Sequence, residues 1–116
     1  MNRLYSLKKN EDIKAVLNHQ TKRFSNGIGV FMKPNKTIPH YRIAFSVPKK
    51  YGNAVKRNRM KRQLREIVRG VSIKNHVDIF ILIKADIKPL TYQALEKNVH
   101  ACFKQLKLIG DNHDKS

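Results

Sequence analysis

The stretch Val77-Asp78-Ile79-Phe80-Ile81-Leu82-Ile83 decides the fold of this chain. It is apolar and rich in β-branched residues, and apolar side chains occupy both of its alternating sets of positions. This pattern predicts a central strand that is buried on both faces. Its fully apolar part, residues 79–83, has the length of a strand and falls far short of a membrane span. A sheet that is covered by other elements is therefore expected.

The N-terminal half is predicted to contain one helix and two strands. Asn10 is the expected N-cap of a helix that ends near His19. Residues 24–33 are rich in β-formers and are predicted as one strand, although Gly27 and Gly29 weaken it. Residues 41–47 alternate between apolar and polar side chains and are predicted as the second strand.

The C-terminal half is predicted to contain two helices, one before and one after the central strand along the chain. Asn53 is the expected cap of a helix that ends near Arg69, and Thr91, with a hydrophobic staple of Leu90 and Leu95 around it, is the expected N-cap of the last helix. Residues from about 111 onward are predicted to be a frayed tail. The order is helix, strand, strand, helix, strand, helix. Residues 1–116 are thus expected to form a single α+β domain, a two-layer sandwich of helices packed on a small mixed sheet.

Charge is the main indicator of function. The chain has 25 Lys and Arg against 8 Asp and Glu, a formal net charge of +17. Such an imbalance predicts a polyanionic partner, which could be nucleic acid, an anionic membrane or an acidic protein. Trp is absent and the most basic helix carries no aromatic residue on its apolar side, so membrane binding is disfavoured. Nucleic acid is the favoured partner. Without a signal peptide, and with Cys102 as its single cysteine, the chain is expected to be cytoplasmic.

The basic residues are concentrated between residues 49 and 69. In a helical projection, Met60, Leu64, Ile67 and Val68 gather on one arc, and a basic row that includes Asn58 lies on another. These basic residues could also belong to a solvated surface helix that binds nothing. Such a surface normally mixes charges, however, and here Glu66 is the only acid. Arginine can grip two phosphate oxygens at once. The segment is therefore predicted to bind RNA through nine basic side chains: Lys49, Lys50, Lys56, Arg57, Arg59, Lys61, Arg62, Arg65 and Arg69.

No catalytic apparatus is predicted in this chain. Its eight acidic residues are scattered along the sequence, whereas metal-dependent phosphodiester cleavage needs several carboxylates around the same ions. The five histidines lack the H-x-x-x-H spacing of a metal site. We therefore expect no catalytic residue, no metal site and no cofactor bound by the chain itself.

The segment from Gly52 to Glu66, GNAVKRNRMKRQLRE, resembles the signature of the protein subunit of bacterial ribonuclease P. The core of that signature is Arg57-Asn58-Arg59. The resemblance continues in FSVPKK at residues 45–50, LKKNED at residues 7–12 and DIFILI at residues 78–83. It covers most of the chain in the expected order.

The resemblance implies a function shared between RNA and protein. In this family an RNA subunit carries out magnesium-dependent hydrolysis and removes the 5′ leader of precursor tRNA. The protein binds that RNA through its basic helix, here including Asn58, and needs no obligate protein partner. The resemblance also implies a left-handed strand–helix–strand crossover. A separate cleft for the leader would be lined here by Lys9, Ile13, Leu17, His19 and Phe31.

Two alternative functions remain open from the residues alone. The basic helix could instead bind ribosomal RNA in a ribosome-associated protein, or package nucleic acid without specificity.

The predicted cleft departs from the family at two positions, because the family usually carries aromatic residues where this chain has Ile13 and Leu17. Aliphatic side chains offer no π-face to a base, so weaker leader binding is expected. The sequence fits a role in core packing as well as it fits a leader contact for both residues.

Overall fold

A computed structural model describes residues 5–109, in which it places three α-helices and four strands. The predicted tail from about residue 111 lies outside the described residues. A short 3₁₀ turn, Lys49–Tyr51, precedes the second helix. The elements are α1 (Asn10–Asn18), β1 (Lys22–Ser25), β2 (Ile28–Pro34), β3 (Tyr41–Ser46), α2 (Ala54–Arg69), β4 (Val77–Ile83) and α3 (Tyr92–Gln105).

The strand β4 is central, as its sequence predicted. The sheet order is β1-β2-β4-β3, with β4 antiparallel to β2 and parallel to β3. Five of its seven residues are buried and the other two are half-buried. The α+β class and the mixed sheet are confirmed.

The prediction of one strand over residues 24–33 is wrong, because this stretch forms a hairpin of β1 and β2. The chain reverses at Asn26 and Gly27, whose φ angles are 51° and 86°. Asn-Gly is the preferred pair for a two-residue hairpin turn, since both positions require positive φ. The predicted order therefore gains one strand at this point.

Two of the three predicted helix caps are confirmed. The Asn53 side chain accepts a hydrogen bond from the Lys56 amide at 2.9 Å, and the Thr91 hydroxyl accepts one from the Ala94 amide at 3.1 Å. The prediction for Asn10 is wrong. Helical hydrogen bonding begins one residue earlier, because the Lys9 carbonyl accepts from the Ile13 amide at 3.0 Å. Lys9 is thus the N-cap and contributes no side-chain hydrogen bond.

The helices cover both faces of the sheet, unequally. We call one face the two-helix face: it packs on α2 and α3 through alternate strand residues such as Val30, Ile79 and Ile81. The opposite face, here called the α1 face, packs on Leu7 and α1 through Phe31, Phe80 and their neighbours. The predicted helix-on-sheet layers are present on the two-helix face, and α1 adds a thinner third layer.

The crossover from β3 through α2 to β4 is left-handed. The Ile43 side chain points to the two-helix face, and its carbonyl accepts from the Leu7 amide at 2.9 Å, away from β4. For an L-residue these directions place β4 to the left of β3 when β3 runs upward and α2 faces the viewer. Right-handed crossovers account for about 98% of such units, so this connection is a real exception. The handedness implied by the resemblance is confirmed.

No helix within residues 5–109 has the length and apolarity needed to cross a membrane.

Candidate nucleic-acid interface

The basic helix α2 is anchored to the molecule by one apolar face. Met60, Leu64, Ile67 and Val68, the arc predicted from the sequence, are all buried in the core of the two-helix face. Helical periodicity therefore leaves the other side chains of α2 outside the core. This anchoring holds the basic residues on a rigid element.

The basic side chains of α2 face outward without acidic partners. In the part of the chain that the structure describes, ion pairs join Arg42 to Asp12 and to Asp78, and no residue of α2 takes part in one. The Arg57 guanidinium donates to the Gly52 carbonyl at 2.7 Å, which fixes its stem while other N–H groups remain available. Lys49, Lys50, Lys56, Asn58, Arg59, Arg62 and Arg69 are exposed, and Arg57, Lys61 and Arg65 are half-buried along the edge of the anchored face.

The α1 face holds three of the five residues predicted for a leader cleft. Ile13 and Leu17 are half-buried on α1 and pack against the cluster that contains Phe31, whose exposed fraction is 7%. Lys9 and His19 are exposed at the two ends of α1, as its N-cap and C-cap. The structure thus brings together the apolar members of the predicted set, and the two polar members flank them.

Sequence reasoning missed two aromatic residues on the α1 face, Phe24 and Phe80. The strand register places Lys22 opposite Phe31 and Phe31 opposite Phe80, so all three side chains point to this face. The Phe31 ring contacts the Phe24 ring edge-on at 5.7 Å between centroids, and the Phe80 ring at 6.3 Å. A row of three aromatic rings therefore crosses β1, β2 and β4. Splitting residues 24–33 at Asn26-Gly27 would have shown that Phe24 and Phe31 share a face.

Two lysines lie at the rim of this aromatic row. The Lys22 ammonium is 5.8 Å from the centroid of the Phe31 ring, and the Lys84 ammonium is 5.0 Å from that of Phe24. Cations within about 6 Å of a ring centroid are attracted to its π-face. The α1 face therefore combines aromatic surface with positive charge.

A polar clamp ties α1 to the sheet at the other end of this face. Arg42 donates from Nε and Nη2 to the two carboxylate oxygens of Asp78, at 2.8 and 3.0 Å. Its Nη2 also lies 3.6 Å from the Asp12 carboxylate on α1. Asn35 donates a further bond to Asp78 at 3.0 Å. The hydrogen bond to Asp78 raises the pKa of Arg42 above its ordinary value, although burial opposes it.

The two surfaces approach each other at the edge where β1, β3 and β4 end. One surface depression is lined by Asn26, Lys84 and Ile87, among others. A second is lined by Lys56 and Arg59 of α2 together with the same Ile87. The segment that follows β4 therefore separates the α2 surface from the aromatic row.

The described residues offer cationic and aromatic groups and no cluster of metal ligands. Within residues 5–109, no three His, Cys, Asp or Glu side chains come together as metal ligands. Burial raises the pKa of the Cys102 thiol, which disfavours its reactive thiolate. Cationic and aromatic side chains on fixed elements are the groups that hold phosphates and bases.

Comparison with known proteins identifies the family of this chain. The model of the ribonuclease P family matches residues 1–107. A ribonuclease P protein component from Staphylococcus carnosus is 32% identical over 116 residues, covering 95% of this chain and 96% of the relative. One from Onion yellows phytoplasma is 42% identical over 99 residues, covering 83% and 70%.

Solved structures show the same fold. The RNase P protein of Staphylococcus aureus superposes with a TM-score of 0.82 at 30% identity, covering 91% of this chain and 98% of that one. The RNase P protein of Thermotoga maritima is 22% identical with a TM-score of 0.72, a likeness of fold. The match to the family model over residues 1–107 and the 32% identity over nearly the whole length show that this chain belongs to the bacterial ribonuclease P protein family, the protein components of a tRNA-processing ribonucleoprotein.

Proposed function

We propose that this chain binds the RNA subunit of ribonuclease P through α2 and the 5′ leader of precursor tRNA through the α1 face. The observation that carries the proposal is the surface of α2, where basic side chains stand on an anchored helix and form no ion pair with any residue in the range 5–109. Basic side chains that no acid neutralises are available to replace the counterions of a folded RNA. Asn58 adds a donor and an acceptor among them.

The α1 face supports the second part of the proposal. A leader is single-stranded, so its bases are free to contact apolar and aromatic side chains. Ile13, Leu17 and Phe31 would offer such contacts, while Lys9 and His19, exposed at the ends of α1, would contact phosphates. The approach of this face to α2 would let one protein hold the RNA subunit and the substrate together.

Catalysis is proposed to belong to the RNA subunit, with the magnesium ions held by RNA. The chain would assist by neutralising phosphates that crowd together when the RNA subunit folds and binds its substrate. Lower electrostatic repulsion would reduce the magnesium concentration that cleavage requires. This assistance needs no catalytic side chain.

A reconstitution experiment tests the proposal. The purified chain is mixed with a bacterial ribonuclease P RNA and precursor tRNA at low magnesium, and release of the leader is measured. Controls contain the protein alone or the RNA alone. We expect leader cleavage to rise sharply only when both components are present. Binding of both RNAs without any gain in cleavage would overturn the proposal and favour a ribosome-associated role.

A further inference from the structure

Phe24, on the edge strand β1, is an aromatic residue that the fold leaves open to solvent. Phe24 is 44% exposed, whereas its neighbour Phe31 is only 7% exposed. The helix α1 packs mainly across β2 and β4, so the end of β1 lies beyond its cover. The edge of the α1 face therefore presents an aromatic ring that the core does not need to bury.

The Phe24 ring is held in place from below. It lies across Gly29 on the neighbouring strand, where an added Cβ would come within 2.5 Å of the ring. Its contact with Phe31 is edge-to-face, with 84° between the ring planes. Packing over this glycine thus restricts the position of the ring. A ring that is already held in one position loses little conformational entropy on binding.

Positive charge lies close to the ring. The Lys84 ammonium lies 5.0 Å from the ring centroid, and Lys84 is exposed. The depression next to it is lined by Asn26, Lys84 and Lys88, with Asp86 as its acidic member. Because a lysine side chain is flexible, its ammonium group can move away from the ring when a base stacks there. It can then contact the phosphate beside that base.

We propose that Phe24 stacks on a base of the 5′ leader and that Lys84 contacts a phosphate beside that base. This proposal rests on the leader-binding role proposed for the α1 face and adds a nucleotide subsite at its outer edge. The subsite supplies a π-face on β1 that Ile13 and Leu17 do not supply on α1. In this chain the stacking surface for the leader would thus lie on the sheet rather than on the helix.

The test uses the reconstituted holoenzyme and compares its affinity for precursor tRNA with that for mature tRNA. Phe24→Leu keeps an apolar cover over Gly29 but removes the π-face, and Phe24→Trp keeps both. Phe24→Leu is expected to weaken precursor binding by about fivefold or more, the lower end of the loss of one base–aromatic stack. Phe24→Trp should bind as the parent does, and mature tRNA affinity should stay constant in both variants.

A second measurement locates the base. Precursors with a single abasic site at successive leader positions are bound to the parent and to Phe24→Leu. One abasic position should weaken the parent and leave Phe24→Leu unaffected, since the stack is already lost. Thermal unfolding of each variant, followed by circular dichroism, checks that the fold is retained.

The outcomes separate this inference from the function beneath it. If the parent binds precursor and mature tRNA equally, leader binding itself fails. If the parent prefers the precursor while Phe24→Leu behaves like the parent at every abasic position, leader binding stands and the Phe24 subsite is wrong. If Phe24→Leu and Phe24→Trp weaken binding equally, the size and shape of the side chain rather than stacking control the effect, which also overturns the subsite.

Discussion

The two faces of the sheet are built differently, and the difference suits them to two different kinds of RNA contact. The two-helix face is fully covered, and its helix α2 turns a row of basic side chains to solvent. The α1 face is thinly covered and exposes part of its own aromatic and aliphatic surface, with lysines at the rim. The first arrangement suits phosphates, the second suits unpaired bases.

Under the proposed function, this contrast would let a chain with one sheet bind a structured RNA and a single strand at once. A rigid, buried face lets α2 project charge without changing shape. An incompletely covered face leaves apolar area that a single strand can use. Four predictions address this comparison, from the largest expected effect to the smallest.

Neighbouring residues of β4 test the difference in coverage. Ile81 is fully buried on the two-helix face, and Leu82 is half-buried on the α1 face. Ile81→Ala should lower the free energy of unfolding by about 3–4 kcal/mol, because it leaves a cavity in a closed core. Leu82→Ala should cost about half of that, since less surface is buried there. Urea unfolding measures both, and equal losses would contradict the unequal coverage of the two faces.

The polar clamp tests how α1 is held. Arg42→Ala leaves the Asp78 carboxylate, which is 4% exposed, without its bidentate partner. Breaking a fully buried pair costs about 3–5 kcal/mol, and the partial exposure of Arg42 reduces the expected loss to about 2–3 kcal/mol. Arg42→Lys, which keeps the charge and loses the fork, should fall between the two proteins in urea unfolding. A loss below about 0.5 kcal/mol for Arg42→Ala would mean that the clamp contributes little to this end of the α1 face.

The basic surface of α2 tests the electrostatic part of the account. Arg62→Ala should weaken binding of the RNA subunit by about 1.5 kcal/mol, the low end for a hydrogen bond to a charged group. It should also reduce the slope of log affinity against log salt concentration by about 0.7–0.9. Lys97→Ala on the exposed side of α3 removes the same charge and serves as the control. Equal effects from the two variants would indicate a general charge effect instead of a defined surface.

The Cys102 thiol tests how well the two-helix face excludes water. Burial raises the pKa of this thiol, so the folded state favours the neutral form up to a higher pH than the unfolded state does. Its contribution to stability is present below about pH 8.5 and is lost as the pH rises through the raised value. Alkylation at pH 8 should be much slower in the folded protein than in urea. Similar rates in the two states would show that this core opens readily.

Local patterns predicted the two-helix face better than the α1 face. The arc of α2 and the central position of β4 follow from periodicity within one segment, so the sequence alone identified the buried side chains of α2. The aromatic row depends on the pairing of Phe31 with Phe80 from a distant strand and on the turn at Asn26-Gly27. No single segment carries that register, and treating residues 24–33 as one strand concealed it.

The handedness of the crossover could not be predicted from local patterns either. General strand–helix–strand units favour the opposite hand, and only the resemblance to a family implied the exception. In the structure, the direction of the Ile43 carbonyl reveals it. The position of α2 relative to the sheet, and hence of its basic surface, depends on this non-local feature.

The most direct test of the two-surface account compares Arg62→Ala with Leu17→Ala in one holoenzyme assay. Two quantities are measured for each variant: affinity for the RNA subunit, and the ratio of precursor to mature tRNA affinity. Arg62→Ala should weaken RNA-subunit binding and leave the ratio unchanged, whereas Leu17→Ala should lower the ratio and leave RNA-subunit binding unchanged. If both variants alter only the ratio, the assignment of the two surfaces is wrong.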